Sequence, residues 1–307
     1  WQVSYYLSPG ERLGISVFPP RPFPWKESFE SRFTIAHRGI SPEIDKEWAK
    51  YGDVLILWNW TMRSWSFSWG REHVPYDLDD FRAHVRAAKD AGMTPIMYAS
   101  CHWYYSRDAD EYAAELRRMK DLVDIEGVYY DGIPGQEWVV AYEEMRMTRE
   151  IFRDGKIIVH ATGNNYNGHP PLLEPSIKIP AVETYSDATY TGELVNGEGR
   201  DWAYPKYIAA QYRLSNCIGV MKYDKWDGLT PLQRDLMMLR HNGRACLLPV
   251  EWEGMTDEGR LGYLRETYLP ILDELRRLWE EKGSEPDFYE KHYLPRAIEL
   301  TRGLLPE

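Results

Sequence analysis

The stretch Gly127-Val128-Tyr129-Tyr130-Asp131-Gly132-Ile133 carries the reading of the fold. An apolar run rises to a carboxylate and stops at a glycine. One amphipathic helical pattern precedes it and another follows. A strand that delivers a lone Asp to its C-terminal tip, between two helices, is how an α/β barrel places a catalytic acid. The rest of the chain then has to supply the other strands.

Outward from this stretch, short apolar runs recur: Phe33–His37, Asp53–Trp60, Thr94–Ser100, Gly127–Asp131, Lys156–Thr162, Ala181–Asp187, Cys217–Asp224 and Ala245–Trp252. Near-continuous apolar runs are expected of parallel strands covered on both faces. Helical patterns fill the gaps. Asp77 precedes a stripe of Phe81, Val85 and Ala88 that stops at Gly92. Asp108-Ala109-Asp110-Glu111 reads as a capping box ahead of Tyr112, Leu116 and Met119, and Thr230-Pro231-Leu232-Gln233 as a second with Pro at the first helical position. Ser41–Tyr51, Glu137–Phe152 and a segment near Pro205–Leu214 add three more, and Asp257–Leu278 closes the set with a break near Pro270. Gly163–Ser176 reads as an extended loop.

Eight strands alternating with helices predict an α/β fold, a (β/α)8 TIM barrel, and Phe33 to Lys282 matches its usual size of about 250 residues. The rival is a doubly wound open sheet. That fold carries a Gly-rich fingerprint after its first strand, and His37-Arg38-Gly39-Ile40 is not one. Residues 1–32 stand outside the repeat. Val3–Leu7 and Leu13–Phe18 read as extended, and Pro19–Trp25 as a stiff polyproline-type linker. The division is therefore a short N-terminal β-type extension over 1–32, a remnant of a β-sandwich or a strand pair packed on the barrel, and a catalytic barrel over 33–307.

Composition narrows the function. The chain has 307 residues and a net charge of -11, which disfavours nucleic acid as a partner because phosphate binding needs a basic surface. No run of about 18 apolar residues occurs, so no membrane-spanning helix is expected. Cys101, Cys217 and Cys246 show neither metal spacing nor a disulfide framework and read as buried thiols. The chain opens at Trp1, so a processed protein is expected, with a secreted or periplasmic location favoured. Thirteen Trp and 22 Tyr stand against eight Phe. Trp and Tyr join a flat apolar face to a polar tip, which suits the C–H faces and hydroxyls of a sugar. The alternative is a Trp-rich core.

The expected C-terminal strand ends are polar and aromatic, and that is where barrel chemistry lies. Asp131 ends strand four and Glu183 stands on strand six; these are the candidate catalytic carboxylates. Asp187 and Asp224 are further candidates, or loop caps. His37, Trp60, His102, Trp103, Tyr129, His160, Asn164, Tyr185, Lys222 and Glu251 are candidate substrate-binding residues. Each has a plainer alternative: Asp131-Gly132 in a hairpin turn, Glu183 as a buried partner of Lys222, the histidines as satisfied structural groups. No H-x-H or H-E-x-x-H spacing occurs, so neither a metal nor a cofactor is expected. Two carboxylates across a barrel mouth suit glycoside hydrolysis, about 5–5.5 Å apart for retention and about 6.5–9.5 Å for inversion. An oligo- or polysaccharide is the expected substrate. Two other readings stand beside this one: a non-catalytic carbohydrate-binding barrel, and a lyase or isomerase using Lys222, His160 or Tyr185 as base.

Phe18-Pro19-Pro20-Arg21-Pro22 after an extended segment, the Gly127–Gly132 run, and Arg240-His241-Asn242-Gly243-Arg244 before the last strand resemble the catalytic barrels of bacterial glycoside hydrolases, those related to glycoside hydrolase family 123 most of all. The resemblance covers roughly residues 10–255 and implies a β-sandwich ahead of the barrel, which 1–32 would echo. The characterised members of that family use an adjacent Asp-Glu pair at the tip of strand four, with the substrate acetamido group as nucleophile. Here Gly132 follows Asp131, which is closer to barrels resembling α-galactosidases. By that analogy Asp131 is the nucleophile and Glu183 or Asp187 the acid/base.

Overall fold

In the computed structural model, residues 23–36, 42–57, 73–99, 109–130, 138–160, 184–191, 218–221, 230–247 and 262–305 are described. Eight parallel strands close into a barrel in sequence order. They are β1 (Phe33–Ala36), β2 (Val54–Leu57), β3 (Thr94–Ala99), β4 (Gly127–Tyr130), β5 (Lys156–His160), β6 (Ala188–Thr191), β7 (Ile218–Met221) and β8 (Arg244–Leu247). The register runs through Ile56↔Ile96, Met97↔Val128, Tyr129↔Ile158, Ala188↔Ile218 and Val220↔Arg244, and closes with Phe33↔Cys246. The expected fold is the one observed.

Alternation along the strands assigns the faces. Leu55, Leu57, Met97, Ala99, Val128, Tyr130, Ile157 and Val159 form one buried cluster with the helices α3 (Leu78–Asp90), α4 (Ala109–Val123) and α5 (Trp138–Ile151), so they point outward. Their alternates Val54, Ile56, Ile96, Tyr98, Tyr129, Ile158 and Ala188 are equally buried but belong to no helix-facing cluster, so they fill the barrel interior. Gly127 shows how tight that interior is: a Cβ there would lie 2.0 Å from the Lys156 carbonyl oxygen and 2.8 Å from Ile96 Cγ2.

The caps follow the sequence closely. The Asp77 carboxylate accepts from the backbone N–H groups of Asp79 and Asp80 at 3.0 Å each and starts α3. Thr230 and Gln233 form the expected reciprocal box before the Pro231–Arg240 helix. Asn242, with φ 61°, takes the left-handed residue that ends this helix.

Three expectations are corrected. Residues 25–30 are helical rather than extended: α1 (Trp25–Glu30) places Trp25 and Phe29 four residues apart, on one face. Their rings meet Phe288, Tyr293 and Trp279 of the C-terminal helices, and that burial overrides the proline-rich approach. Second, Pro270 does not break the closing helix. A π-helical turn over Leu264–Tyr268 runs directly into the Leu269–Lys282 helix, and this wider turn just ahead of Pro270 lets the helical backbone continue past a residue that lacks an N–H. A second such turn, Tyr289–Tyr293, leads into a further helix, Leu294–Leu300. These elements build the second core with Phe29, Trp48, Tyr51, Leu236 and Leu239.

The third correction bears on function. Strand six is Ala188–Thr191, not Ala181–Asp187; Thr184 and Tyr185 form a turn ahead of it. Thr189, Tyr190 and Thr191 are branched or aromatic residues that suit a pleated strand, whereas the strand-like look of Ala181–Asp187 comes from the apolar Ala181 and Val182. Asp187 pins the start of β6: its N–H donates to the Ile157 carbonyl at 2.8 Å, and its carboxylate accepts from the Ile157 N–H at 2.7 Å.

Candidate active site at the carboxyl ends of the strands

The inner faces of β3, β4 and β5 change character along the barrel. Toward the strand starts they carry Ile96, Gly127 and Ile158; toward the ends they carry Tyr98, Tyr129 and His160. Tyr98 is hydrogen-bond register partner to Tyr129, and the two rings stack at 5.9 Å and 25°. The Tyr129 ring in turn lies 6.1 Å from His160, the last residue of β5. Tyr129 and His160, both expected in the substrate site, are thus brought together. Tyr98 was missed, although its alternation with Ile96 in an apolar strand places it on the same face. All three are buried, forming an aromatic layer at the C-terminal ends of β3, β4 and β5. Asp131 is the next residue after Tyr130 and two positions beyond Tyr129.

The outer side of the same strand ends is also polar. The Tyr130 phenol meets the Thr148 hydroxyl of α5 at 2.5 Å, and Thr148 donates onward to the Glu144 carbonyl at 2.6 Å. Since the single Thr148 proton is used there, Tyr130 is the donor in the first bond. The Tyr112 ring of α4 lies 6.0 Å from Tyr130 and 6.2 Å from His73. His73 is the first described residue after the β2 segment, and it is held from α4. The Glu115 carboxylate accepts from both its backbone N–H and its Nδ1, and Arg118 binds Glu115 at 2.6 and 2.8 Å and the His73 carbonyl at 2.8 Å. Burial pushes the Glu115 carboxyl up, but the hydrogen bonds from Arg118 and His73 outweigh it and hold the group at about 2. Burial pushes the His73 imidazole down, against the pull of Glu115. His73 is therefore neutral, with Nδ1–H directed at the carboxylate. None of this was visible in the sequence, since i,i+3 spacing alone makes Glu115–Arg118 an ordinary surface pair.

Two expected site residues lie elsewhere. Asp187 stands at the start of β6, at the N-terminal floor of the barrel, where it pairs with Arg149 at 2.6 Å. Tyr185 precedes it on the outer wall. Its hydroxyl meets that of Tyr142 on α5 at 3.3 Å and its carbonyl accepts from Arg149. The hydrogen bond to Tyr142, and then burial, push the Tyr185 phenol up, so neither its place nor its acidity suits a base in the mouth. Asp131, Glu183, Asp224, His37, Trp60, His102, Trp103, Asn164, Lys222 and Glu251 lie outside the described residues. In sequence, Glu183 precedes β6 by five positions, on the side of the chain that enters the strand. Among the described residues no group of three or more His, Cys, Asp or Glu side chains is placed to hold a metal ion. No described helix is long and apolar enough to cross a membrane.

No family model and no curated protein sequence matches the chain. Solved structures do. A noncanonic maltogenic alpha-amylase from Thermotoga neapolitana aligns with a TM-score of 0.53 at 10% identity, over 81% of this chain and 76% of that one. A GH18 chitinase from Pseudoalteromonas aurantia aligns at 0.47 and 13% identity, over 70% and 92%. A sialic acid aldolase from Ruminococcus gnavus aligns at 0.43 and 8% identity, over 83% and 80%. At 10% identity the likeness to the amylase is one of fold, in keeping with the closed eight-stranded barrel.

Proposed function

We propose that this barrel is a sugar-processing enzyme that cleaves a glycosidic bond at its C-terminal mouth, with Asp131 as one working carboxylate. The observation that carries the reading is the aromatic layer Tyr98–Tyr129–His160 on the inner face of β3–β5, with Asp131 following β4 in sequence. Flat rings with polar tips suit a sugar ring held by stacking and hydroxyl contacts. The Trp-rich segment after β2 (Trp58, Trp60, Trp65 and Trp69) adds to the same chemistry.

The second carboxylate stands after a strand end, not before a strand start. Because β6 ends at Thr191, the acid that follows this strand in sequence is Glu193, and Asp224 follows β7 in the same way. Both replace Asp187, and Glu193 displaces Glu183 as the first choice. One carboxyl protonates the leaving oxygen while the other attacks the anomeric carbon or activates water. The likeness to family 123 hydrolases stays part of this proposal, resting on the motifs quoted for it. A lyase or isomerase is the second reading, favoured by one observation: His160 ends β5 on the inner face, beside the Tyr129 ring.

The test is product analysis with chitohexaose, maltohexaose and a panel of 4-nitrophenyl glycosides. Hydrolysis predicts new reducing ends or nitrophenol, abolished by Asp131→Asn. An unsaturated, ultraviolet-absorbing product or a released carbonyl fragment would replace hydrolysis by the lyase reading. Saccharide binding by calorimetry without turnover would make the barrel a binding module.

A further inference from the structure

We propose that the floor of the barrel holds a small monovalent anion of the halide class against the Arg244 guanidinium. The inference stands apart from the reaction at the mouth. Arg244 opens β8 and is 1% exposed. It donates to the Ser28 carbonyl at 2.6 Å, the Gly243 carbonyl at 2.9 Å and the Ser28 hydroxyl at 3.0 Å. The Phe29 ring lies 5.0 Å from the guanidinium, and the Tyr293 phenol stands beside it. Every one of these partners is neutral. Among the described residues, no carboxylate comes within 4.0 Å of the group. A buried charge left without a counter-charge is costly, and proteins pair such groups. The partners of Arg244 satisfy its N–H groups but not its charge.

The cavity that Arg244 lines has room for a counter-ion. It measures about 10 Å³, the space of one water-sized particle. Arg32 shares its wall with Arg244, together with the hydroxyl-bearing Ser31, Tyr51 and Tyr268 and three leucines. No carboxylate lines it; Asp53, which accepts from the Arg32 N–H, is not part of the wall. Two cationic residues, three hydroxyls and apolar walls suit a weakly hydrated halide. They repel a metal cation, and the space excludes a five-atom oxyanion such as sulfate. A water molecule fits but leaves the charge unmatched. Ser31 and Arg32 lead into β1, Arg244 opens β8, and the leucines belong to the C-terminal helices, so the ion ties the β1–β8 seam to those helices. Its role is structural, a counter-charge that lets an arginine be buried where the barrel closes.

The full chain is dialysed into sodium gluconate and titrated with sodium chloride at constant ionic strength, while thermal unfolding is followed. An ion that binds only the folded chain raises the melting temperature. The expected result is a saturable rise of about 2 °C or more, absent in Arg244→Met. A crystal of the parent soaked in sodium bromide should show an anomalous peak in this cavity, in contact with the Arg244 guanidinium, which keeps the test decisive if Arg244→Met fails to fold. Equal melting temperatures in gluconate and chloride would overturn the proposal. So would a chloride response that folded Arg244→Met keeps in full, or a bromide map with no peak in the cavity.

Discussion

The two ends of the barrel are both polar, but they spend their polar groups differently. At the floor, the charged groups of Arg244, Asp187 and Asp53 are turned back onto the protein. Arg244, fully buried at the start of β8, donates to the Ser28 carbonyl at 2.6 Å and the Ser28 hydroxyl at 3.0 Å, with its guanidinium 5.0 Å from the Phe29 ring. Asp187 is held by Arg149 and the Ile157 N–H, and Asp53 accepts from the Arg32 N–H. At the mouth the inner face ends instead in Tyr98, Tyr129 and His160, whose rings contact one another. The lesson is that an acidic residue beside a strand says little until the end on which it stands is known. Asp187 has the residue type of a catalytic acid and the address of a structural one.

The sharpest way to break this contrast is at Arg244. Arg244→Met keeps bulk but leaves two Ser28 acceptors buried without their donor, and should lower unfolding stability by about 3 kcal/mol in urea denaturation. Its turnover per folded molecule should match the parent. A loss of turnover out of proportion to folding would mean that the floor reaches the chemistry.

A smaller effect is expected at Asp187. The Arg149–Asp187 pair is partly open to solvent, so Asp187→Asn should cost about 1 kcal/mol, again with turnover unchanged. A melting temperature equal to the parent would show that the clamp on β6 is ornamental.

A further contrast is in the pH dependence, where floor and rim have opposite signs. Glu115, at the rim, is held near 2 against 4.5 unfolded, so its stabilisation is full above pH 4.5 and is lost as pH falls toward 2. His73 acts in the same direction below 6.5, because its folded imidazole resists protonation. Burial pushes the floor carboxyl of Asp53 above 3.8 despite the Arg32 N–H, so its contribution is full at low pH and is lost as pH rises through the folded value. Melting curves between pH 3 and 7 should therefore flatten at the acid end in Glu115→Gln. Asp53→Asn should gain on the parent as pH rises toward neutrality. A Glu115→Gln curve parallel to the parent would contradict the rim assignment.

Much of the barrel was legible in the chain. Strands with near-continuous apolar runs, such as Val54–Leu57 and Thr94–Ala99, were found within a few residues, and the caps at Asp77 and Thr230 fell where side-chain chemistry put them. Strand six was misplaced because Ala188-Thr189-Tyr190-Thr191 is polar by composition, and its strand character lies in branching rather than hydropathy. That shift of one strand moved Asp187 from the mouth to the floor and Tyr185 to the outer wall. The α1 helix was hidden because its stability comes from Trp25 and Phe29 meeting residues more than 240 positions away, and no local window sees that. That Tyr129 and His160 share the inner face follows from strand alternation. The Tyr130–Thr148 bond was not legible, since a tyrosine facing a helix looks like any core aromatic until its hydroxyl is placed.

The most direct test sets the two ends against each other in one experiment. Asp131→Asn and Asp187→Asn are compared for turnover on the best substrate of the saccharide panel and for melting temperature. The account predicts that Asp131→Asn loses turnover by at least about a thousandfold with its melting temperature nearly unchanged, and that Asp187→Asn keeps turnover and melts earlier. Full turnover in Asp131→Asn, or its loss in Asp187→Asn, would contradict the placement of the chemistry at the mouth.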